Sequence, residues 1–542
     1  MILIKTLKLD SEKKEDIKKA CDLILNGEVV AIPTETVYGL GANALDKKAV
    51  LKIFKAKGRP QDNPLIIHIS SYDMLESLVL EISQKAKLVM NAFWPGALTI
   101  IFKKSDIVPS EISCGLDTVA IRFPNHKTAL EMIKTAGVPI AAPSANSSGK
   151  PSPTTATHVL DDLDTKISAI VWDAPCKVGV ESTVLDLTGD IPSILRPGEV
   201  TFEQLQEVLG EVLIDFAVKE KISENAVVNS PGMKYRHYAP KADVTVLCGN
   251  SLDTANYINQ VADEKSGVLC FDEYANFFKN ENIKTFGEEF DISEQARNLF
   301  EKLRLFDELD ISQIFAQCPN DDGLGLAVAN RLKKSSGFNV IEIKKRKIIG
   351  LTGTSGSGKS TVSGIFNKLC AKVISADEIY HNLLENCDDM KREISESFDV
   401  DCKDIDRKKL GKIAFSDKSK LLKLNEITHK YITHEFEKQL FCSINDEFII
   451  LDVPLMFEAS YDKYCDKVIG VVSNEEQKIE RICKRDGVNY DYAKKRLESQ
   501  KKDSFFYDKC DIIIKNNDDF SSLYKQCEEI YNKVMGERNE LT

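Results

Sequence analysis

The sequence predicts a multi-domain α/β protein whose last third opens on a phosphate-binding loop. Three observations carry that prediction. Apolar runs of strand length alternate with helical stretches along most of the chain. The segment GTSGSGKST, Gly353–Thr361, leaves the apolar run Ile348–Leu351 and enters the helix-like run Val362–Leu369. That setting turns a G-x-x-x-x-G-K-[ST] pattern into a phosphate cradle. A length of 542 residues exceeds one ordinary core and suggests roughly three or four domains.

Composition narrows the class. A net charge of −12 disfavours a general nucleic-acid binder, so no stable direct contact with nucleic acid is expected. Local basic pockets for nucleotides remain compatible with it. The fourteen cysteines are scattered, without a C-x-x-C pair. This speaks against structural zinc and for reduced thiols in a cytoplasmic protein. No apolar run approaches the ~20 residues of a membrane-spanning helix, so no membrane partner is expected.

In chain order, Ile17, Ala20, Cys21 and Ile24 share one helical face, and Gly27 follows as a stop. Val29–Ile32 reads as a buried strand ending at Pro33. Further strands are expected at Leu65–Ile69, Ala97–Phe102, Thr118–Arg122, Pro139–Ala142, Ile170–Trp172, Thr183–Leu187 and Ser193–Leu195. Helices near Ala49–Lys55, Ser83–Phe93 and Thr128–Thr135 separate several of them. This first α/β domain is set at 1–215. NSPGMKYRHYAP, Asn229–Pro240, has little apolar periodicity and lies in a linker set at 216–242. A second, smaller Rossmann-like α/β domain is set at 243–345. It has strands at Val244–Leu247 and Gly267–Phe271, and helices near Leu252–Val261, Ser293–Glu308 and Leu324–Ser335. Lys344–Lys347 reads as a basic hinge into the third domain, 346–542.

Polar clusters of the first domain sit where strands end. Pro33–Gly41, PTETVYGLG, leaves a strand with hydroxyls and glycines expected to be exposed. Lys57, Arg59 and Asn63 precede a strand ending at His68. Arg122 ends another, Ser144-Ala-Asn146 follows a third, and Glu181-Ser-Thr and Arg196-Pro-Gly flank the last two. Together they describe a basic, hydroxyl-lined cleft suited to a nucleotide and a small anion. The stretches PTETVYGLG, KGRP, FWPGALT, SAN, ESTV and RPG resemble the YrdC-type threonylcarbamoyl-AMP synthases, and the resemblance runs to about residue 345. It implies a reaction of L-threonine, bicarbonate and ATP giving threonylcarbamoyl-AMP and pyrophosphate, with tRNA-modification proteins as candidate partners. It implies threonine contacts from Thr36, His68, Arg122 and Ser182. ATP contacts would come from Lys57, Arg59, Asn63, Thr118, Ser144, Asn146 and Arg196, with Lys57 and Arg59 catalytic. Tyr235–Tyr238 would act as a lid. Which group acts as base is not readable, and the small domain carries no motif tied to chemistry.

In the third domain, Lys359 is placed to reach the β- and γ-phosphates of ATP and Ser360 to offer its hydroxyl to Mg²⁺. Asp377, after the strand Lys372–Ile374, suits either proton acceptance or Mg²⁺ orientation. Phe448–Leu451 followed by Asp452 reads either as a Walker B-like element or as a strand before a helix-capping aspartate. Gln477, Arg481 and Arg485 share a helical face, with Arg496 and Gln500 beyond; the stripe reads as a lid or as a solvated surface. LTGTSGSGKST, ADEIYH, DRKKLGKIAF, EITH, LDVPLMFE and CDIIIKN resemble the dephospho-CoA kinases, P-loop enzymes with a parallel sheet and a helical lid. That resemblance implies transfer of phosphate to the dephospho-CoA ribose 3′-hydroxyl. Gly356, Ser357, Gly358, Lys359, Ser360 and Thr361 would hold ATP, with Lys359 and Asp377 catalytic. Asp377, Arg407 and His429 would bind the CoA side, and Arg485 and Asn516 the lid and adenine side. Ser375 and Lys430 depart from that family's usual Asp and Pro. A non-catalytic RNA-binding module before the loop, or a different small-molecule kinase, is the rival reading.

Overall fold

The structure, a computed structural model, describes residues 5–220, 238–343, 346–398, 418–443 and 446–536. The chain divides into two compact units, Met1–Ile343 and Lys344–Thr542.

The first unit holds two sheets. Among the described residues the larger is eleven-stranded and mixed. Its spatial order is Leu7–Asp10, Ala169–Trp172, Val30–Ile32, Gly39–Asn43, Ile140–Ala141, Ile66–His68, Thr118–Arg122, Leu98–Lys103, Thr183–Asp186, Ser193–Arg196, Leu213–Ile214. Every strand expected from an apolar run forms, with ends shifted by a residue or two. Both faces are covered, which is why these strands read as continuous apolar runs. Val30 and Ile32 pack with Ile17, Ile24, Met132 and Ile133 from helices Lys14–Leu25 and Lys127–Ala136. Ala31, between them, points to the opposite layer of Ile53, Phe54, Val89, Val159 and Leu205.

Three strands of this sheet depart from expectation; the two-residue Leu213–Ile214, too short to read, adds in parallel beside Ser193–Arg196. Leu7–Asp10 is an edge strand with only Leu9 buried, too brief an apolar signal to read. It pairs in parallel with the distant Ala169–Trp172, Leu7 opposite Ala169. Gly39–Asn43 was expected as exposed loop; instead it returns antiparallel on Val30–Ile32, with Gly39, Leu40 and Gly41 buried. The missing side chains explain this. A Cβ on Gly39 would lie 3.0 Å from that of Ala142, and one on Gly41 3.1 Å from Ile140 Cγ2, so neighbouring strands close over the glycines.

The smaller sheet is five-stranded and parallel, in the order Ile283–Thr285, Ser266–Cys270, Gln313–Gln317, Asp243–Cys248, Val340–Glu342. Its helices dock on the larger domain. Arg304, on helix Ile292–Leu305, pairs with the buried Asp162 at 2.9 Å and donates to Pro151 O. Asn330 Nδ2, on helix Gly325–Ser335, donates to Val218 O at 2.7 Å.

The second unit holds a five-stranded parallel sheet in the order Lys372–Ser375, Phe448–Asp452, Lys347–Gly353, Lys467–Val472, Ile512–Lys515. The strand leading into the phosphate loop is central, and strand order reverses beside it. Open α/β sheets bind ligands at that crevice. Lys347, expected in the hinge, instead starts the central strand opposite Phe448; residues 344–345 lie outside the described set. No described helix is long and apolar enough to cross a membrane.

Candidate active sites

An open cleft lies at the strand ends of the larger sheet. Lys57 closes one side from the last turn of helix Lys47–Lys57 and is 4% exposed. Its Nζ donates to Ser144 O at 2.5 Å, to Asn146 O at 2.7 Å and to Asn146 Oδ1 at 3.2 Å. Ser144 Oγ donates to the same Oδ1 at 2.5 Å, so lysine, serine and asparagine form one fixed wall. Burial, then the nearby Arg59, pull the Lys57 pKa well below that of a free lysine. Arg59 Nη2 donates to Asn63 O at 3.1 Å and Pro64 O at 3.2 Å. Burial lowers Arg59 to about 10, which leaves it a cation at neutral pH.

The other side is built on Arg122, at the end of its strand. It pairs with Glu35 at 2.8 Å and donates from Nη1 to Thr36 Oγ1 at 2.8 Å. Burial works to raise the Glu35 carboxyl, but Arg122 and the backbone N–H of Asn125 hold it below the usual range. His68 lies opposite Arg122 on the adjacent strand. Burial, then Arg122, lower it to about 3, so its imidazole is neutral. Ser182 shares a hydrogen bond with Thr99 Oγ1 at 2.8 Å. It also receives Arg196, whose Nε donates to Ser182 O at 3.0 Å and Nη2 to Ser182 Oγ at 3.2 Å. The cleft thus sets cations around neutral hydrogen-bonding groups, which suits a polyanion beside a small polar molecule. His68 Nδ1 and both polar side-chain atoms of Asn63 are buried without a protein partner, positions that solvent or a ligand would satisfy.

In the second unit, helix Lys359–Lys368 begins behind Gly358, which has φ +90° and no side-chain cap. Its first N–H groups are therefore open to an anion. The Lys359 ammonium meets the Asp452 carboxylate at the end of the Phe448–Asp452 strand. The arginine stripe lies over the loop. Arg481, on helix Glu475–Asp486, donates to Gly356 O at 3.2 Å and Asn516 O at 3.1 Å. Asn516 Nδ2 donates to Ser357 O at 2.8 Å, and Gln500 Oε1 accepts from Ser355 N at 2.9 Å. Arg485 Nη2 donates to Ser355 Oγ at 3.3 Å, while Asp486 first and Asp377 after it stabilise its cation. Asp377 sits in the first turn of helix Ala376–Asn386, which Ser375 caps by accepting from Glu378 N at 3.4 Å. His429 is half-buried on helix Lys418–Cys442, and burial lowers its pKa; Lys430 beside it pairs with Glu393 at 3.6 Å. Arg407 and Tyr235–His237 lie outside the described residues.

Family models match three consecutive stretches. One described as "Telomere recombination" covers residues 22–198, "Threonylcarbamoyl-AMP synthase, C-terminal domain" covers 200–337, and "Dephospho-CoA kinase" covers 347–522. A threonylcarbamoyl-AMP synthase of Pyrococcus abyssi is 47% identical over 336 residues, 60% of this chain and 96% of that protein. A dephospho-CoA kinase of Fusobacterium nucleatum is 41% identical over 185 residues, 33% of this chain and 95% of that protein. The chain belongs to two families, the threonylcarbamoyl-AMP synthases and the dephospho-CoA kinases. A crystal structure of P. abyssi Sua5 complexed with L-threonine matches at 44% identity and a TM-score of 0.59, covering 62% of this chain and 99% of that one.

The synthase-family unit gathers into one cleft all its expected site residues except Asn63 and Thr118. Thr118 starts its strand opposite Lys103, and Asn63 is buried behind Arg59. Sequence reasoning missed Glu35, although it lies inside PTETVYGLG and a carboxylate there was a readable signal. It also missed Arg331, for which no local signal exists. In the kinase-family unit, Arg481 makes the backbone contacts to the phosphate loop, a role that spacing alone could not divide between Arg481 and Arg485.

Proposed function

We propose that this chain is a bifunctional enzyme. Residues 1–345 make threonylcarbamoyl-AMP and pyrophosphate from L-threonine, bicarbonate and ATP, for threonylcarbamoyladenosine synthesis in tRNA. They comprise a synthase domain at 1–215, a covering linker at 216–242 and a small domain at 243–345. Residues 346–542 phosphorylate the 3′-hydroxyl of dephospho-CoA. The observation that carries the first assignment is the convergence of Thr36, His68 and Arg122 with Lys57, Arg59 and Arg196 around one cleft, in a chain of this family.

In this reading a carbamate, formed from threonine and bicarbonate with loss of water, attacks the α-phosphorus of ATP, and pyrophosphate leaves. Carbamate and ATP are both anionic. Lys57, Arg59 and Arg196, with Ser144 and Asn146, hold the nucleotide, offset that repulsion and stabilise charge developing at phosphorus. Thr36, Arg122 and Ser182 hold threonine, and the neutral His68 bonds it without adding charge. Positioning supplies much of the remaining rate.

In the kinase-family unit, residues 356–361 cradle ATP, and Asp377 takes the proton of the attacking hydroxyl. Arg407 and His429 bind the CoA side, and Arg485 and Asn516 close over the nucleotide. The Ser360 hydroxyl and the Asp452 carboxylate beside Lys359 are hard oxygen donors of the kind Mg²⁺ takes. Bound there, Mg²⁺ would neutralise charge on the β- and γ-phosphates.

The test is to incubate the full chain with ATP and each substrate set and identify products by mass. Threonylcarbamoyl-AMP from one set and CoA from the other is the expected result; absence of either product removes that half of the assignment.

A further inference from the structure

Arg331 is the largest fully buried side chain of the first unit, at 0% exposure. It belongs to the small domain, on helix Gly325–Ser335, yet its guanidinium pairs with Glu181, a residue that lines the cleft. Nε pairs with Glu181 Oε2 at 2.9 Å, and Nη2 donates to the Glu181 carbonyl at 3.3 Å. The other carboxylate oxygen accepts from Ser152 Oγ at 2.5 Å. Burial alone would raise the Glu181 carboxyl; Arg331, then Arg196, bring it down to about 2. The next residue, Ser182, is held by Arg196 through both its carbonyl and its hydroxyl. The Glu181-Ser182 segment is thus clamped between two arginines, one from each domain. The guanidinium of Arg331 also lies 5.8 Å from the centre of the Tyr238 ring, which lines the cleft and stacks on Phe300 of the small domain at 5.1 Å.

A buried carboxylate is costly unless paired. Without Arg331, the strongest cationic influence left on Glu181 is Arg196, which is committed to Ser182. We propose that Arg331 is a positioning residue of the synthase site. It satisfies Glu181, so that Arg196 stays on Ser182 and the threonine-side and nucleotide-side groups keep their places. The small domain thereby completes the cleft through one side chain. This rests on the synthase reading above.

The test uses the full chain, measuring threonine-dependent pyrophosphate release at several ATP and threonine concentrations. Arg331→Met is expected to raise the KM for both substrates at least several-fold. Loss of folded protein alone would lower apparent kcat and leave KM unmoved. If Arg331→Met melts below the assay temperature, Arg331→Lys decides. It keeps the charge, but an ammonium cannot reproduce the planar two-point contact with carboxylate and carbonyl, so KM is again expected to rise. Unchanged KM values in the folded variants overturn the proposal and leave the synthase reading intact. A wild-type chain that releases no pyrophosphate overturns both.

Discussion

At the scale of residues, the cleft depends on keeping charge where the surroundings oppose it. His68 titrates near 6.5 in an unfolded chain and at about 3 in the fold. As pH falls, the unfolded chain takes the proton first. Stability from the neutral ring is therefore complete above about pH 6.5 and is lost progressively below it. Glu181, at about 2 in the fold against roughly 4.3 unfolded, adds a second loss below about pH 4.3. Denaturant unfolding of the full chain, followed through the synthase-family transition, should weaken from pH 6.5 downward. His68→Gln should flatten the upper part of that slope, although His158, lowered to about 4 by burial, will retain some of it. An unchanged slope would remove His68 from the account. Residue types in motifs were legible here: Lys57, Arg59, Arg122 and Arg196 all stand where strand-end polar clusters placed them. Their partners were not, because Glu35 and Arg331 act through contacts that span 86 or more residues of sequence, such as Arg122 to Thr36 beside Glu35 and Arg331 to Glu181.

At the scale of elements, the docking of small domain on large gives a sharp contrast between two glycines. Gly179 has φ +87°, and the backbone of Ala296 and Arg297 occupies the place a Cβ would take. Gly179→Ala should cost roughly 2–4 kcal/mol, combining left-handed strain with overpacking. Gly58, at φ +63°, has nothing within 4 Å of that place, so Gly58→Ala should cost only about 1 kcal/mol. Thermal unfolding of the two variants separates the effects; equal costs would mean the domain interface yields. In the kinase-family unit Ser375 caps helix Ala376–Asn386. Ser375→Ala should lose about 1 kcal/mol of cap energy, whereas Ser375→Asp should not, and the same melts report it. Apolar runs revealed most strands, since both faces of the large sheet are buried. Leu7–Asp10 escaped because an edge strand buries one side chain, and Gly39–Asn43 because glycine signals turn as readily as close packing.

At the scale of the whole molecule, the two units have separate apolar cores, and their activities should separate by mutation. Lys359→Ala should abolish CoA formation and spare threonylcarbamoyl-AMP. Lys57→Ala with Arg59→Ala should do the reverse, with product masses as the readout. A folded variant that lost both products would defeat the independence of the sites.

The large sheet also carries a history of its own making. Leu7–Asp10 leaves a ribosome well before its partner, Ala169–Trp172. At the usual 5–20 residues per second, that partner follows after roughly ten to thirty seconds. Through that interval the leading strand has no neighbour to pair with, and its unsatisfied backbone is open to other chains. The edge that was hardest to read in the sequence is therefore the one whose completion waits longest on translation, and a slow stretch of message before residue 169 would prolong its exposure.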